Sequence, residues 1–422
     1  MKWLPKFRFS LRTLMIITAV LAVGLSFVGR RVYQAERQKQ AVQWVLASGD
    51  GFGWVRYKHE DLDQESPTPE WISAIFGEHY FDIVIYANVD GDDVTDISPL
   101  SDLKDIEELE FYSESVEDIS PLANLTNLRE LELSGAKIKN LSPISNLKKL
   151  EILVITCESV TDISPLAELT NLELLGIYHT KVKDISSLRS LNKLEILGLS
   201  YNEISDLSSL KYLTNLISLY LEESIVDNVS SLAHLNKLEN LELECSQVTE
   251  LPSLSQLSKL QKLTIEQTPL RNLFPLADLK NLESLRLSGT KADDYSFLTS
   301  LEKLIYLSLS SESITEVPPV SRLQNLRTVY IHYTPLQDIS SLADLTSLES
   351  LQVSSSKVTD ISPLAGLTNL TDLSLFNTKI ITVSALANLN KLETLKLSST
   401  EVSEAEIANL QKALPNCTIV DN

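Results

Sequence analysis

The sequence feature that most constrains the fold is a repeat with a period of 22 residues. Apolar residues recur in the pattern LxxLxL, as in Leu128-Leu131-Leu133 and, 22 residues later, Leu150-Leu153-Ile155. Fourteen consecutive copies, from Ile106-Leu109-Phe111 to the copy that ends at Leu397, keep this phase without insertion or deletion. The register also extends back to residues 84–89 and forward to Leu414-Cys417-Ile419. A fixed period of this length indicates a repeat architecture in which the array itself is the domain.

Each copy combines a strand signal with a turn signal. The LxL segment alternates with period two, which predicts a short strand, and strands 22 residues apart in one direction pair in parallel. The leucines of each copy stack on those of the next, so a single copy cannot fold alone. The return segment reads DISPLAxL, as at residues 118–125 and 162–169, and Ser followed by Pro is typical of an N-cap and first helical turn. We therefore predict an α/β solenoid with a parallel sheet and short helical turns.

The full pattern LxxLxLxxTxVxDISPLAxLTNL resembles the 22-residue leucine-rich repeat of the internalin and phosphatase-1-regulator type, over about residues 84–420. The chain also resembles bacterial membrane-anchored proteins that carry such repeats. The resemblance implies a right-handed leucine-rich-repeat solenoid with a parallel concave β-sheet, short helical turns on the convex side and partner binding through the concave face. The sequence departs from the family at the buried Asn position, where Asn202 matches and most copies carry a hydroxyl, as at Thr180, Thr268, Thr290, Thr334, Thr378 and Thr400. A hydroxyl satisfies fewer backbone groups than an amide, so the turn is expected to differ there.

A stretch of seventeen residues without charge, 13–29, precedes the repeats and has basic residues on both sides. As a helix it would be roughly 25 Å long, the short end of a membrane span. The alternative is a cleaved signal peptide, for which Ala22-Val23-Gly24 is a small-residue cleavage site. We favour an uncleaved anchor because helix-prone residues continue directly after it. The basic residues before and after the segment are nearly equal in number, so they indicate the orientation only weakly. We predict a single-pass membrane protein with a cytoplasmic N-terminus and the repeat domain outside the cytoplasm.

These signals divide the chain into five predicted segments. They are a basic N-terminal flank at 1–12, a transmembrane helix or uncleaved signal anchor at 13–29, a juxtamembrane helix and N-terminal cap at 30–83, leucine-rich repeats at 84–402 and a C-terminal cap at 403–422. Caps are required because an open sheet edge and exposed leucines would aggregate. Residues 53–60 are predicted as a strand, residues 69–78 as a short helix, and Ser403 with Glu406 as the capping box of a last helix.

Charge and composition exclude several classes of function. The chain has a net charge of −21, and because residues 1–40 carry +7, the remainder carries −28. An acidic body argues against nucleic acid as a partner, since that binding depends on Lys and Arg. Three cysteines cannot form a disulfide framework. No HExxH, GxSxG, Walker or CxxC pattern accompanies the five histidines, so we predict no enzyme activity, no cofactor and no small-molecule substrate.

Two weak chemical signals remain. Cys157 and His179 occupy the same repeat position in adjacent copies, which predicts side chains roughly 5 Å apart on the outward face. The sequence assigns no third ligand or oxyanion donor to this pair, so we interpret the two residues as exposed polar side chains rather than as a thiolate pair or half a metal site. Residues 88–92 resemble the start of a calcium loop, but Asp93 stands where such loops need Gly and Pro99 where they need a bidentate acid. Calcium binding there stays open, and no metal site is assigned.

The residues that lie between the strand leucines, and just after them, point out of the concave face. Two regions carry aromatic and aliphatic side chains and are predicted to contact a partner. The first contains Ile152, Val154, Leu174, Tyr178, Ile196, Tyr201 and Tyr220, with Gly176 and Gly198 between them, and the second contains Tyr306, Tyr330, His332, Tyr333 and Phe376. Acidic residues surround them, namely Glu108, Glu110, Glu130, Glu132, Glu222, Glu242, Glu244 and Glu266.

An apolar floor with acidic neighbours suits a basic protein or peptide. We therefore predict a non-catalytic, membrane-anchored module that binds an unidentified protein through the concave face. The alternative is a structural or adhesive envelope protein that contacts cell-wall or matrix polymer, for which the acidic charge matters and no single patch does.

Overall fold

The computed structural model describes residues 11–77 and 79–421. Most of the predicted basic flank, residues 1–10, lies outside this described part, as do Glu78 of the predicted cap helix and Asn422. The chain divides into two compact units with a boundary between Leu150 and Glu151. Each unit holds part of the repeat array and buries its own leucines.

Unit 1 contains the elements that precede the repeats and the first repeat strands. They are α1 (Leu11–Ala47), β1 (Trp54–Tyr57), α2 (Lys58–Asp61), α3 (Glu70–Phe76), β2 (Val84–Asp90), β3 (Glu108–Tyr112) and β4 (Glu130–Ser134). β1 pairs antiparallel with β2, while β2, β3 and β4 are parallel, with Ala87, Leu109 and Leu131 aligned across them. The strand predicted at 53–60 therefore ends at Tyr57, where α2 begins.

Helix α1 is continuous but has two different halves. Side chains of residues 11–34 are exposed, and the helix is long and apolar enough to cross a membrane. In the second half Ala41 and Val45 are buried. Arg37 forms an ion pair of 2.7 Å with Asp102, and Gln38 Nε2 donates a hydrogen bond of 2.7 Å to the carbonyl oxygen of Asp82. The second half thus packs against the rest of unit 1.

Unit 2 consists of parallel strands and a last helix. These are β5 (Ile152–Thr156), β6 (Leu174–Tyr178), β7 (Ile196–Gly198), β8 (Ser218–Ser224), β9 (Asn240–Cys245), β10 (Lys262–Glu266), β11 (Ser284–Ser288), β12 (Tyr306–Ser310), β13 (Thr328–His332), β14 (Ser350–Ser354), β15 (Asp372–Ser374), β16 (Thr394–Lys396), α4 (Glu404–Ala413) and β17 (Thr418–Val420). Leu153, Leu175, Leu197 and Leu219 align across β5 to β8 at steps of 22 residues, as the period predicts. All four are buried completely. The predicted solenoid of parallel strands is confirmed.

The return segments form short 3-10 helices, for example Ser120–Asn124 and Ser164–Glu168. The expectation that serine is the N-cap is wrong. The N-cap residue is Ile119, and the side chain that satisfies the turn belongs to the aspartate before it: Asp118 Oδ1 accepts the N–H of Ser120 at 2.8 Å and Asp118 Oδ2 accepts the Ser120 hydroxyl at 2.9 Å. Asp162 and Ser164 repeat this arrangement. Aspartates at this repeat position therefore satisfy the first N–H group of each such turn.

The predicted capping box of α4 is only half formed. Ser403 Oγ accepts the N–H of Glu406 at 3.3 Å. The Glu406 carboxylate does not return to Ser403, because it accepts hydrogen bonds from Thr382 Oγ1 at 2.9 Å and from the N–H of Val383 at 3.2 Å. This contact joins α4 to the preceding turn of unit 2.

The last strand departs from the repeat register. The 22-residue phase predicts that Ile419 pairs with Leu397, but β17 places Ile419 opposite Leu395, 24 residues earlier. The prediction is wrong by two residues because α4 replaces the 3-10 turn ahead of this strand. Leu414 and Cys417 nevertheless remain buried.

The buried position after each strand is satisfied unequally. Asn202 Nδ2 donates to the carbonyl oxygen of Ile177 at 2.7 Å, and its Oδ1 accepts from the Thr180 N–H at 3.2 Å and hydroxyl at 2.6 Å. At the same repeat position, the buried hydroxyls of Thr334 and Ser356 have no hydrogen-bond partner among the described residues. The hydroxyl copies thus satisfy fewer groups, as their chemistry predicts.

Candidate partner-binding face

Strand alternation separates core residues from surface residues in unit 2. In β5, Leu153 and Ile155 are completely buried, whereas Ile152 and Val154 are partly exposed on the other side, which we call the open face. Every one of the predicted contact residues lies in the described part of the chain and retains partial or full exposure. Their role in binding remains a prediction.

The first predicted region, which we call the first patch, is continuous across neighbouring strands. Ile152, Leu174 and Ile196 form one row of aligned residues on β5, β6 and β7. Val154, Gly176, Gly198 and Tyr220 form the adjacent row, which extends to β8. At about 4.8 Å between strands, the second row is roughly 14 Å long. An apolar surface of this kind is typical of an interaction site.

The two glycines in this second row leave space for an aromatic ring. A Cβ atom added at Gly198 or at Gly176 would overlap the ring of Tyr178. Gly176 and Gly198 therefore leave space, as the sequence predicts, and the structure shows that Tyr178 itself fills it. Burial, with Glu222 and Tyr220 nearby, raises the pKa of Tyr178. The ring is neutral and partly desolvated, as in an interface anchor.

A stacked pair borders the first patch. The rings of His179 and Tyr201 lie 4.4 Å apart between centroids at an angle of 14°. Both residues have left-handed backbone conformations, with φ of 51° and 58°. Together with Tyr178, Ser200, Tyr220 and Glu222 they line a shallow hollow of about 350 Å³. Sequence reasoning missed His179 as part of this surface, although its 22-residue spacing from Tyr201 was the available signal.

The second predicted region is less continuous. Tyr306 and Tyr330 meet edge to face at 5.6 Å, and His332 and Tyr333 do so at 5.5 Å. Phe376 lies two copies beyond His332 and is 44% exposed. The second region therefore consists of two aromatic pairs and a separate phenylalanine, and does not form one continuous apolar surface.

An arginine that the sequence reasoning missed connects this region to the acidic residues. An Arg286 guanidinium nitrogen donates to the Tyr306 hydroxyl at 3.2 Å, and another lies 3.6 Å from the Glu266 carboxylate. Burial and the charge of Arg286 lower the pKa of His332. The second region therefore carries positive as well as negative charge.

Acidic side chains concentrate on β8, β9 and β10. Burial, with Glu222 and Glu266 nearby, raises the pKa of Glu242. Burial and four neighbouring glutamates likewise raise the pKa of Glu244. These carboxylates repel one another, so a cationic group placed between them would relieve the repulsion.

The acidic residues of unit 1 lie on β3 and β4 and are partly neutralised. They are Glu108, Glu110, Glu130 and Glu132. Arg56 forms an ion pair of 2.7 Å with Glu108, and Asn88 Nδ2 donates to Glu110 at 2.9 Å. Asn88 itself lies in β2, so the segment that resembles a calcium loop begins inside a strand.

The expected exposure of Cys157 is wrong. Its side chain is completely buried, as is that of Cys245 at the same repeat position. The alternation of β5 continues to this position, because Leu153, Ile155 and Cys157 are buried while the residues between them are partly exposed. Burial raises the pKa of Cys245 to about 12, despite an opposing hydrogen bond from Ser224. These thiols are packing residues.

Side chains suited to metal ions converge at one place in the described part of the chain. His59, His79 and Asp82 of unit 1 bring ligand atoms within 4.8 Å of one another. They lie ahead of the repeats along the chain. The acids of residues 90–93 form no comparable group among the described residues.

The repeat, the parallel strands and the capped 3-10 turns define the class of the protein as a leucine-rich-repeat solenoid, a fold that serves as a protein-interaction module. A family model for leucine-rich repeats in two copies matches residues 126–168, 324–366 and 346–388. The chain is accordingly similar to internalin-like leucine-rich-repeat proteins.

Solved structures agree with this classification. An internalin of Listeria monocytogenes, InlF, is 26% identical, with a TM-score of 0.58 over 77% of this chain and 93% of that one. A leucine-rich-repeat protein of Leptospira interrogans, 24% identical, has a TM-score of 0.63 over 77% and 92%. The functional domain of InlJ from Listeria monocytogenes, 20% identical, has a TM-score of 0.55 over 73% and 72%. The latter two show the fold alone, and a comparison with curated proteins finds no match.

Proposed function

We propose that this chain is a membrane-anchored, non-catalytic protein that binds another protein through the open face of unit 2. The observation that carries the proposal is the first patch, in which three adjacent strands present an aliphatic row beside tyrosines that are already held in place. Tyrosine and exposed aliphatic side chains are typical of the centre of a protein interface. The acidic strands β8 to β10 next to it favour a basic partner.

The shape of this face supports a macromolecular partner over a small molecule. The hollow beside Tyr178 is open and holds about 350 Å³. Small-molecule sites normally enclose most of the surface of their ligand, which a shallow hollow on an extended sheet does not do.

Anchoring rests on α1. The apolar half of the helix continues without a break into the half that packs against Asp82 and Asp102. The segment Ala22-Val23-Gly24 lies inside this helix. This continuity favours an uncleaved membrane anchor over a removed signal peptide, and we propose that the repeat domain lies outside the cytoplasm.

The binding proposal is tested by site-specific photo-crosslinking in cells. A photoreactive phenylalanine analogue replaces Ile196 in the first patch, and in a matched protein it replaces Ser350. The two residues occupy the same repeat position on β7 and β14. We expect one discrete adduct from position 196 and none from position 350. Tyr178→Ala with Tyr220→Ala should abolish the adduct by removing the anchors.

A glycine substitution provides an independent test of the same surface. Gly198→Ala forces the Tyr178 ring off its seat, whereas Gly366→Ala meets no neighbouring atom and serves as the control. We expect loss of the adduct only with Gly198→Ala, while both variants fold normally. Diffuse crosslinking from both positions, unaffected by these changes, would contradict the proposal and favour an envelope protein that contacts polymer.

A further inference from the structure

A cluster of two imidazoles and one carboxylate lies in unit 1, ahead of the repeats. His59 belongs to α2, while His79 and Asp82 lie in the turn that leads into β2. Nδ1 of His79 is 2.5 Å and Nδ1 of His59 is 3.5 Å from Oδ2 of Asp82. The two imidazole rings are stacked 5.3 Å apart, and Tyr57 stacks on His79 at 4.4 Å.

The carboxylate at the centre is buried and firmly oriented. The Asp82 side chain has no exposed surface. Its Oδ1 accepts hydrogen bonds from Thr68 Oγ1 at 2.7 Å and from Ser66 Oγ at 2.8 Å. The Ser66 hydroxyl also lies 2.9 Å from Oδ2, the oxygen that faces the two imidazoles. Hydrogen bonds that fix a ligating carboxylate are typical of the surroundings of metal sites.

One imidazole nitrogen in the cluster lacks a partner. The His59 side chain is 12% exposed, and its Nδ1 is buried without a hydrogen-bond partner among the described residues. Leaving such a group unsatisfied destabilises a fold. The described residues also contain no Lys or Arg in an ion pair with Asp82, so the buried carboxylate has no permanent cation beside it.

We propose that His59, His79 and Asp82 bind a divalent transition metal ion of the zinc type. Two neutral imidazoles and a carboxylate suit zinc better than calcium or magnesium, which prefer oxygen ligands throughout. Ligand atoms around a tetrahedral zinc ion lie roughly 3.3 Å apart, so the observed separations require shifts of about 1 Å. The ion satisfies Nδ1 of His59 and balances the charge of Asp82.

Such a site ties together segments that are distant in sequence. His59 and Asp82 enclose a loop that includes α3, and the ion fixes α2 against the start of β2. His79 is 33% exposed, so the fourth coordination position opens toward solvent and takes a water molecule. The ion therefore stabilises the N-terminal cap.

The proposal is tested with the full chain in detergent micelles, purified on an affinity tag that contains no histidine. After treatment with a chelator, zinc chloride is added and bound metal is measured by atomic emission. We expect one zinc ion per chain and a higher thermal midpoint of unfolding. His79→Gln and Asp82→Asn should weaken binding by about 10-fold or more, while His234→Gln, in a 3-10 turn of unit 2, leaves it unchanged.

Cobalt binding to the unaltered chain keeps the test decisive if the variants fold poorly. Four-coordinate cobalt with imidazole ligands absorbs visible light strongly, whereas the hydrated ion absorbs weakly. A strong visible band that zinc displaces supports the site. Absence of the band, or zinc binding that His79→Gln leaves intact, overturns the proposal.

Discussion

The buried polar position after each strand shows how one residue type changes the local hydrogen-bond pattern. Asn202 satisfies the backbone carbonyl of Ile177 and both donors of Thr180. Thr334, six copies later, is buried to a similar degree but its hydroxyl has no partner among the described residues. Removing a side chain that makes buried hydrogen bonds leaves its partners without them, which destabilises the fold. Removing a buried hydroxyl that makes no hydrogen bond removes a desolvation penalty.

This contrast predicts opposite effects for two substitutions at the same repeat position. Asn202→Ala should lower the free energy of unfolding by about 1–3 kcal/mol, because the Ile177 carbonyl and the Thr180 N–H stay buried without partners. Thr334→Val should change it by less than about 0.5 kcal/mol, or raise it, because it keeps the shape and removes the hydroxyl.

Denaturant unfolding of both variants measures the difference, and hydrogen exchange of the Thr180 amide locates it. Repeat proteins unfold partly by nearest-neighbour steps, so the local amide is the sharper probe. Equal destabilisation by both substitutions would show that the asparagine contributes volume and not hydrogen bonds.

At the scale of elements, the sequence predicts the strands well and their ends less well. The register of β5 to β8 follows directly from the 22-residue spacing, because parallel neighbours share both phase and direction. The outward prediction for Cys157 fails because residue 157 has the same parity as Leu153 and Ile155, so strand alternation directs it into the core. Ile419 was misplaced because an α-helix, which uses more residues than a 3-10 turn, precedes β17.

The candidate sites divide in the same way. The rows of the first patch are periodic, so Ile152, Leu174 and Ile196 could be predicted from the sequence together. The cluster of His59, His79 and Asp82 has no period, since it depends on how α2 and the turn before β2 pack. Stacking of side chains, as between Tyr57 and His79, cannot be predicted from the spacing of residues in the sequence.

The acidic strands give unit 2 a pH dependence of known sign. The pKa of Glu242 is raised in the folded state, so its stabilising contribution is complete below its ordinary value of 4.5 and is lost as pH rises through the raised value. Glu242→Gln should therefore raise the thermal midpoint at neutral pH, and the gain should disappear below pH 4.5.

Asp360 provides the contrasting variant. Hydrogen bonds from the backbone and side chain of Ser362 lower its pKa, so its contribution is present above its ordinary value of 3.8 and is lost as pH falls. Asp360→Asn should lower the midpoint at neutral pH and approach the parent protein in acid. Calorimetric scans across the acid range compare the two variants, and changes of the same sign would refute the assignment of burial and repulsion by neighbouring glutamates to Glu242.

At the scale of the whole molecule, charge and hydropathy are strongly asymmetric along the chain. Residues 1–40 carry +7 and the apolar half of α1, while the remainder carries −28. A basic, apolar terminus followed by an acidic repeat domain is the charge pattern expected of the membrane attachment that we propose. The fold follows from the sequence pattern, whereas the identity of a partner does not, because the same fold binds many different ligands.

Attachment and orientation predict a specific result for protease added to intact cells. We expect digestion of the repeat domain without lysis, with a fragment that contains residues 13–29 retained in the membrane fraction, because the uncleaved helix holds it there. A chain that instead starts after Gly24 and is soluble would show that the segment is a signal peptide. Where an outer layer blocks the protease, that layer is opened selectively first, with a cytoplasmic protein as the control for leakage. Digestion only after the inner membrane is broken would place the repeats in the cytoplasm, and the partner would then be sought among internal complexes.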